Sequence, residues 1–139
     1  MQYCASKFAL EGWYEAMKQE VAHLGIKSFI FELGYFRTKV FDQENIKFRS
    51  KASLTDYDGI RDAVQQGVQG IDGKQPGDPK KAVAIVIDVV REEGVAEGKS
   101  QPERLPLGPD AVATMRKKAV GNLAICNEWE DVIRSTNID

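Results

Sequence analysis

The segment from Ile26 to Leu33, which reads IKSFIFEL, constrains the fold more than any other part of this 139-residue sequence. Successive side chains of a strand point to opposite faces, and here both faces carry apolar residues. A strand that is apolar on both faces is typical of a parallel sheet covered by helices on each side. Gly34 ends the strand, and the segment therefore predicts an α/β fold.

An apolar stripe predicts a helix before this strand. Its members recur at steps of three and four residues, as one face of an α-helix requires. Gly25 follows the stripe and is a natural helix stop. The stripe consists of Leu10, Tyr14, Met17, Val21 and Leu24.

Three further helices and one short strand are predicted from local signals. Thr55 and Asp58 resemble a capping box that opens one helix, and Asp78-Pro79 opens the next. Gly108-Pro109-Asp110 opens the last helix, and Arg104 to Leu107 is a very short strand. A sheet of only two strands is scarcely stable alone. We therefore expect these two strands to be part of a larger sheet. The last helix is expected to bury Val112, Met115, Ala119, Leu123, Cys126 and Ile133.

Composition excludes several classes of function. The chain has 19 Lys and Arg against 21 Asp and Glu, so it lacks the clustered positive charge that nucleic-acid binding requires. No apolar run reaches the roughly 20 residues of a membrane span, and no signal-peptide pattern is present. Cys4 and Cys126 are too far apart for metal-ligand spacing and fit a reducing compartment. We therefore expect a soluble, cytoplasmic, single-domain protein without a metal site.

Tyr3 and Lys7 carry the chemistry that the residues themselves indicate. They are four positions apart on the first helix, so their side chains share a face. A fixed ammonium beside a phenol favours the phenolate form, and such a pair can exchange a proton with a substrate hydroxyl or carbonyl. The alternative is that the pair is simply a solvated helix face, which is the commoner meaning of this spacing.

The surrounding residues resemble the active-site segment of the short-chain dehydrogenase/reductase family. Tyr3 to Gly12 reads YCASKFALEG, and the family pattern is Tyr-x-Ala-Ser-Lys followed by a small apolar helix with a Glu-Gly pair. Glu32 to Thr38, ELGYFRT, resembles the Pro-Gly-x-Val-x-Thr element of the family. Arg104 to Gly108 and the helix after it resemble the family's C-terminal region, so the resemblance covers most of the chain.

This resemblance implies a fold and a reaction. The fold would be the C-terminal part of a Rossmann-like, doubly wound parallel sheet, rich in helices and without the N-terminal cofactor-binding strands. Residues 1–139 would be the C-terminal portion of a single domain, with residues 42–77 as the substrate loop region. The reaction would be hydride transfer between NAD or NADP and a small-molecule alcohol or carbonyl substrate.

The resemblance also implies roles for particular residues. Tyr3 would be the general acid/base, and Lys7 would tune it and bind the nicotinamide ribose. Gly34, Phe36 and Thr38 would complete the cofactor site, with backbone groups of Phe36 and the hydroxyl of Thr38 near the carboxamide. In this family the helix that bears the tyrosine commonly packs against a partner subunit, so a homo-oligomer through the first helix is expected.

Several family features are absent from these 139 residues. Leu33 stands where the family usually has Pro, and Gly67, Gly70 and Gly73 are spaced too loosely for a phosphate-binding loop. The serine and asparagine that precede the family's tyrosine have no counterpart, because only Met1 and Gln2 precede Tyr3. We therefore expect the isolated chain to be inactive. The alternative hypothesis is a truncated, catalytically silent remnant that serves as an interaction module.

Overall fold

The structure is a computed structural model that describes residues 2–42, 44–46 and 55–138. Its α-helices are α1 (Gln2–Val21), α2 (Asp58–Ile71), α3 (Pro79–Arg91), α4 (Pro109–Glu128) and α5 (Glu130–Arg134). Its strands are β1 (Ile30–Leu33) and β2 (Arg104–Leu107). Short 3₁₀ turns lie at Ala22–Leu24, Lys39–Phe41, Thr55–Tyr57 and Gly94–Ala96. Of the predicted substrate loop region 42–77, residues 43 and 47–54 lie outside the described residues.

β1 and β2 form a parallel pair, as the apolar pattern of the first strand predicted. The register runs from Ile30 beside Arg104 to Leu33 beside Leu107, and Gly34 N–H continues it by donating to the Leu107 carbonyl at 2.8 Å. β1 is shorter than predicted, because the chain before it bonds elsewhere. The carbonyl of Ser28, for example, accepts from the Tyr14 hydroxyl at 2.8 Å.

Helices cover both faces of this small sheet. Arg104 points to α1, where it meets Glu11. The next residue, Leu105, points to the opposite face and lines an apolar cavity with Val89 of α3, as alternation along a strand requires. Both faces of the pair are therefore partly covered. The predicted burial is wrong for Leu33, which is 62% exposed, while the other three residues of β1 are half-buried.

The apolar stripe of α1 contacts the sheet at its centre and not at its ends. Tyr14 is buried, and Met17 and Val21 are half-buried. Leu10 and Leu24 are exposed, so the prediction is wrong for these two residues. The physical reason is that α1 contacts the sheet through Tyr14 and the Glu11–Arg104 ion pair, and nothing in the part of the chain that the structure describes covers Leu10 or Leu24.

Arg104 binds α1 to both strands through three carboxylates. Its guanidinium donates to Glu11 Oε2 at 2.9 Å and to Glu15 Oε1 at 2.8 Å. Glu32 Oε1 of β1 lies 2.9 Å from the same Nη1 atom as an ion pair. Burial alone would lower the pKa of the Arg104 guanidinium, but Glu32, Glu11 and Glu15 together raise it above its ordinary value. The guanidinium therefore stays charged at every pH at which proteins are normally studied.

α3 and α4 begin where the sequence predicts. The Asp78 side chain accepts from Lys80 N–H at 2.8 Å, so it caps α3. In α4, Val112 and Met115 are half-buried, but the remaining predicted core positions are exposed, and that part of the prediction is wrong. A helix of 20 residues is about 30 Å long, so it extends well past the end of the sheet. The exposed positions are Ala119, Leu123, Cys126 and, in α5, Ile133.

Removing the Arg104 guanidinium should destabilise the chain more than removing an exposed one. In Arg104→Met, three carboxylates would face each other without a cation, and we expect the free energy of unfolding to fall by about 1–3 kcal/mol. Arg91→Met is the matched control, because Arg91 pairs with Glu93 on the surface and should change stability by less than about 0.5 kcal/mol. Urea unfolding measures both. Equal losses would show that Arg104 is an ordinary surface cation.

Candidate active site

The direction of α1 brings its first residues to the carboxyl ends of the strands. Tyr14 bonds to the chain just before β1 and β2, through the carbonyls of Ser28 and Glu103. Glu11, one turn earlier in α1, already meets Arg104. Tyr3 is eight residues before Glu11, or about 12 Å further along the helix. It therefore lies near the level at which the chain leaves β1.

A contact between α1 and α4 agrees with this placement. The Lys118 ammonium lies 4.1 Å from the centroid of the Phe8 ring, a cation–π geometry. α4 begins directly after the carboxyl end of β2. The start of α1 is thus bounded by α4 on the side where β2 ends.

Tyr3 and Lys7 lie together, as their spacing predicted. The Lys7 ammonium is 5.5 Å from the centroid of the Tyr3 ring. Tyr3 is 73% exposed, so its hydroxyl is open to a reactant. The structure brings the two side chains together, and their catalytic roles remain a prediction.

Four of the five consecutive amides from Gly34 to Thr38 donate to partners within the described residues. Gly34 N–H donates to Leu107 O, and Tyr35 N–H donates to Asp110 Oδ2 at 2.7 Å. Arg37 N–H donates to Gly77 O and Thr38 N–H to Phe36 O, both at 2.8 Å. The Phe36 amide makes no such bond in the part of the chain that the structure describes.

The geometry of the neighbouring peptide group shows where the Phe36 amide points. Tyr35 O accepts from Gly77 N–H at 3.0 Å, and no cis peptide bond occurs among the described residues. In a planar trans peptide the N–H and C=O groups point in opposite directions. The Phe36 N–H therefore faces away from Gly77 and is available to a ligand.

Thr38 begins the 3₁₀ turn that follows this segment. Its hydroxyl oxygen accepts from Val40 N–H at 3.4 Å, and the residue itself is exposed. A long bond of this kind leaves the hydroxyl able to donate elsewhere. Thr38 thus stands two residues beyond the Phe36 amide, and its role at a cofactor stays a prediction.

The far side of the segment rests on residues 75–77. A Cβ at Gly77 would lie 2.8 Å from Tyr35 O and 2.5 Å from the Phe36 ring, so only glycine fits there. Arg37 Nε donates to the carbonyl of Gln75 at 3.2 Å, and the Gln75 side chain is completely buried. The sequence places Gly77 only at the end of the region 42–77 and does not reveal this support. The Phe36 and Gly77 pairing joins segments 41 residues apart, which no local pattern reveals.

Asp110 is the other residue that sequence reasoning missed at this site. It was read as part of the opening of α4, and the structure shows that its carboxylate also accepts the Tyr35 amide. The signal available in the sequence was indirect. Gly34 and Gly108 both leave room for this carboxylate, because a Cβ on either would overlap it.

The remaining features lie away from Tyr3 and Lys7. An apolar cavity of about 310 Å³ lies between α3 and β2, and none of its lining residues is a predicted site residue. Gly67 and Gly70 lie inside α2, and Gly73 follows it with φ +71°. None of the three therefore belongs to a turn between a strand and a helix.

The described ranges contain neither a metal-binding cluster nor a membrane-spanning helix. No group of three or more His, Cys, Asp or Glu side chains there is placed to hold a metal ion. No helix there combines the length and the apolar character needed to cross a bilayer. Cys4 and Cys126 are both free and exposed.

Comparisons with known proteins relate this small parallel α/β layer, whose first helix carries the Tyr-Lys pair, to known oxidoreductases. The chain is 29% identical over 130 residues to oxidoreductase BOA17 of Botryotinia fuckeliana, covering 94% of this chain and 44% of that protein. It is 37% identical over 51 residues to human 17-beta-hydroxysteroid dehydrogenase type 6. It also matches human retinol dehydrogenase 5, with 44% identity over 45 residues.

A solved structure extends the likeness to three dimensions. A short-chain dehydrogenase from Streptomyces avermitilis superposes with a TM-score of 0.75 at 35% identity, covering 98% of this chain and 46% of the other. No family model matches the chain. Sequence and structure together show that the chain belongs to the short-chain dehydrogenase/reductase family. It spans less than half the length of the relatives that it matches from end to end.

Adding a methyl group at Gly77 should disturb the segment from Gly34 to Thr38. In Gly77→Ala the Cβ must displace Tyr35 O and Phe36, and we expect a loss of about 1–3 kcal/mol. Gly67→Ala is the control, because nothing lies within 4 Å of a Cβ there and alanine in a helix gains about 0.5–1 kcal/mol. Thermal unfolding compares the two variants. If both were stabilising, the close packing at Gly77 would be refuted.

Proposed function

We propose that this chain carries the proton-transfer residues and the nicotinamide-facing segment of an NAD- or NADP-dependent oxidoreductase that interconverts alcohols and carbonyl compounds. The observation that best supports the proposal is the pairing of Tyr3 with Lys7 at the end of the sheet where Gly34 to Thr38 leave β1. Two matched relatives are named for retinol and for 17-beta-hydroxysteroids. We extend to this chain only their shared substrate class, a hydroxyl-bearing small molecule.

Tyr3 is the proposed general acid/base. Its exposed hydroxyl gives a proton to the carbonyl oxygen during reduction and takes one from the hydroxyl during oxidation. The positive charge of Lys7 stabilises the negative charge that develops on the Tyr3 oxygen when the proton leaves. Lys7 is also exposed, so its ammonium can donate to the nicotinamide ribose as well.

The segment from Gly34 to Thr38 fits the nicotinamide end of the cofactor. Phe36 N–H has no partner among the described residues and points away from Gly77, which suits a donor to the carboxamide oxygen. The Thr38 hydroxyl is the second proposed contact, and Gly34 brings the backbone close. A bound nicotinamide supplies or accepts the hydride. The chain's own residues hold it and move the proton.

The residues from Gly34 to Thr38 are not proposed to bind the pyrophosphate and adenosine end of the cofactor. The glycines that could have formed a phosphate-binding turn lie in or just after α2, where they lack the strand-turn-helix setting that such turns require. We therefore propose that turnover needs a complementary dinucleotide-binding part in addition to residues 1–139. Residues 42–77 are the proposed substrate region. They follow the segment from Gly34 to Thr38 and end at Gly77, which pairs with Phe36.

Replacing the Tyr3 hydroxyl should abolish proton transfer in a completed enzyme. We would fuse the part of the Streptomyces avermitilis dehydrogenase that precedes its matching tyrosine to this chain, and follow retinol or 17-beta-hydroxysteroid oxidation with NAD and NADP. Tyr3→Phe should lower kcat by about 100-fold or more without unfolding the fusion. Cys4→Ser, at an exposed neighbour, should leave kcat within about two-fold. An active Tyr3→Phe fusion would refute the assigned role.

A second candidate function, docking to another polypeptide through α1, is favoured by the exposure of its apolar side chains. Phe8, Leu10 and Trp13 are each more than half exposed. Leu10 and Trp13 are three positions apart and share a face of α1, whereas Phe8 lies on another face beside Lys118 of α4. Apolar side chains exposed together on one helix are typical of protein contact surfaces. We propose that a second copy of this chain covers these side chains of α1 in a homo-oligomer.

Self-association should depend on Trp13. Trp13→Ser removes a large exposed apolar side chain from α1 and should shift sedimentation from a concentration-dependent oligomer to a monomer. Trp129→Ser is the control, because Trp129 is comparably exposed but follows α4 at the other end of the chain. A monomer at all concentrations in the unmodified chain would eliminate this function, and an equal effect of both substitutions would show nonspecific association.

A further inference from the structure

We propose that Asp110 is a positioning residue that aims the Phe36 amide of the nicotinamide-facing segment. It does not touch substrate or cofactor, and it acts through the Tyr35 backbone. The functional part of this inference, that the Phe36 amide is aimed at a nicotinamide, rests on the proposed function. The structural part, that Asp110 determines the conformation of Gly34 to Thr38, stands on its own contacts.

The first contact is a short hydrogen bond from a backbone amide to a carboxylate. Tyr35 N–H donates to Asp110 Oδ2 at 2.7 Å, and bonds of this charge-assisted type are roughly twice as strong as neutral ones. Asp110 is the second residue of α4. The helix N-terminus favours its negative charge, which helps to hold the acceptor in place.

The second observation is the space around the carboxylate. A Cβ on Gly34 would overlap the Asp110 carboxylate, and a Cβ on Gly108 would lie 2.8 Å from Oδ1. Gly108 has φ +103°, which disfavours other residues for a second reason. Gly34, the first residue of the segment, and Gly108, in the turn into α4, therefore flank the carboxylate on two sides.

The third observation distinguishes Asp110 from an acidic residue that merely stabilises a helix start. Its second oxygen, Oδ1, is buried without a hydrogen-bond partner among the described residues. Burying half of a carboxylate is unfavourable, and a helix would gain the same charge from a solvated side chain. The position of Asp110 is explained by the bond to Tyr35.

The bond to Asp110 completes a sequence of restraints that leaves one amide free. β2 holds Gly34, Asp110 holds Tyr35, and Gly77 holds Tyr35 O and Arg37 N–H. The peptide group before Tyr35 is bonded to Asp110, and the peptide group after it is bonded to Gly77. Because the Phe36 N–H belongs to the second of these groups, its direction is fixed. Leu33 lacks the fixed φ of the proline that the family usually has there. The segment therefore depends more on Asp110 for its rigidity.

The test compares Asp110→Asn, which keeps an acceptor oxygen, with Asp110→Ala, which does not. In the 139-residue chain, amide exchange measured by NMR should be about ten-fold faster at Tyr35 in Asp110→Ala. In Asp110→Asn it should stay within about two- to three-fold of the unmodified chain. Asp131→Ala, at the exposed start of α5, controls for lost charge and should leave exchange at Tyr35 unchanged. Unchanged exchange in Asp110→Ala, or no rescue by Asp110→Asn, would overturn the proposal.

Two additions keep the test decisive. If Asp110→Ala fails to fold, Gly34→Ala replaces it, because its Cβ displaces the same carboxylate and should accelerate Tyr35 exchange equally. Millimolar nicotinamide mononucleotide should shift the Phe36 and Thr38 amides, with about ten-fold weaker binding in Asp110→Ala. Equal binding by the Ala variant would overturn the positioning role. If the mononucleotide shifts neither amide in the unmodified chain, the proposed function fails, and exchange at Tyr35 still decides whether Asp110 holds the segment.

Discussion

The ion-pair cluster at Arg104 is the interaction on which the arrangement of this chain depends. A two-stranded sheet offers little apolar surface, and only Tyr14 of the α1 stripe is fully buried. One guanidinium compensates by contacting α1 twice and β1 once from its place at the start of β2. The axial position of α1, and with it the level reached by Tyr3 and Lys7, follows from these contacts.

The balance of charges in this cluster determines how α1 is placed on the sheet. Three carboxylates around one cation repel each other, so each is stable only where the guanidinium lies between them. Rotating or sliding α1 by one turn would separate Glu11 or Glu15 from Arg104 and leave like charges facing each other. The cluster therefore selects one register of helix on sheet, which apolar contacts of this small area could not do alone.

Local sequence signals predicted the helices and strands well, but they predicted less well which side chains are buried and which residues meet. Asp78-Pro79 and the strand at Arg104 were correct, because a cap and a short apolar strand depend on neighbouring residues. The exposure of Leu10 and Leu123 was not predictable, because periodicity shows which face of a helix is apolar and not whether anything covers it. Tyr3 and Lys7 were found from spacing and resemblance. Asp110 and Gly77 were missed because their contacts join distant parts of the chain.

The pairing of Phe36 with Gly77 has a consequence for how such a protein can change. Residues 37–76 leave one point of the framework and return to the same point, since both ends of the excursion are hydrogen-bonded to each other. The entropy of closing a loop grows only slowly with its length. The part of this excursion between Thr38 and Gln75 can therefore change in length at little cost in closure entropy, while Tyr3 and Lys7 on α1 keep their position. The proposed substrate region and the proposed proton-transfer pair thus occupy parts of the chain that can vary separately.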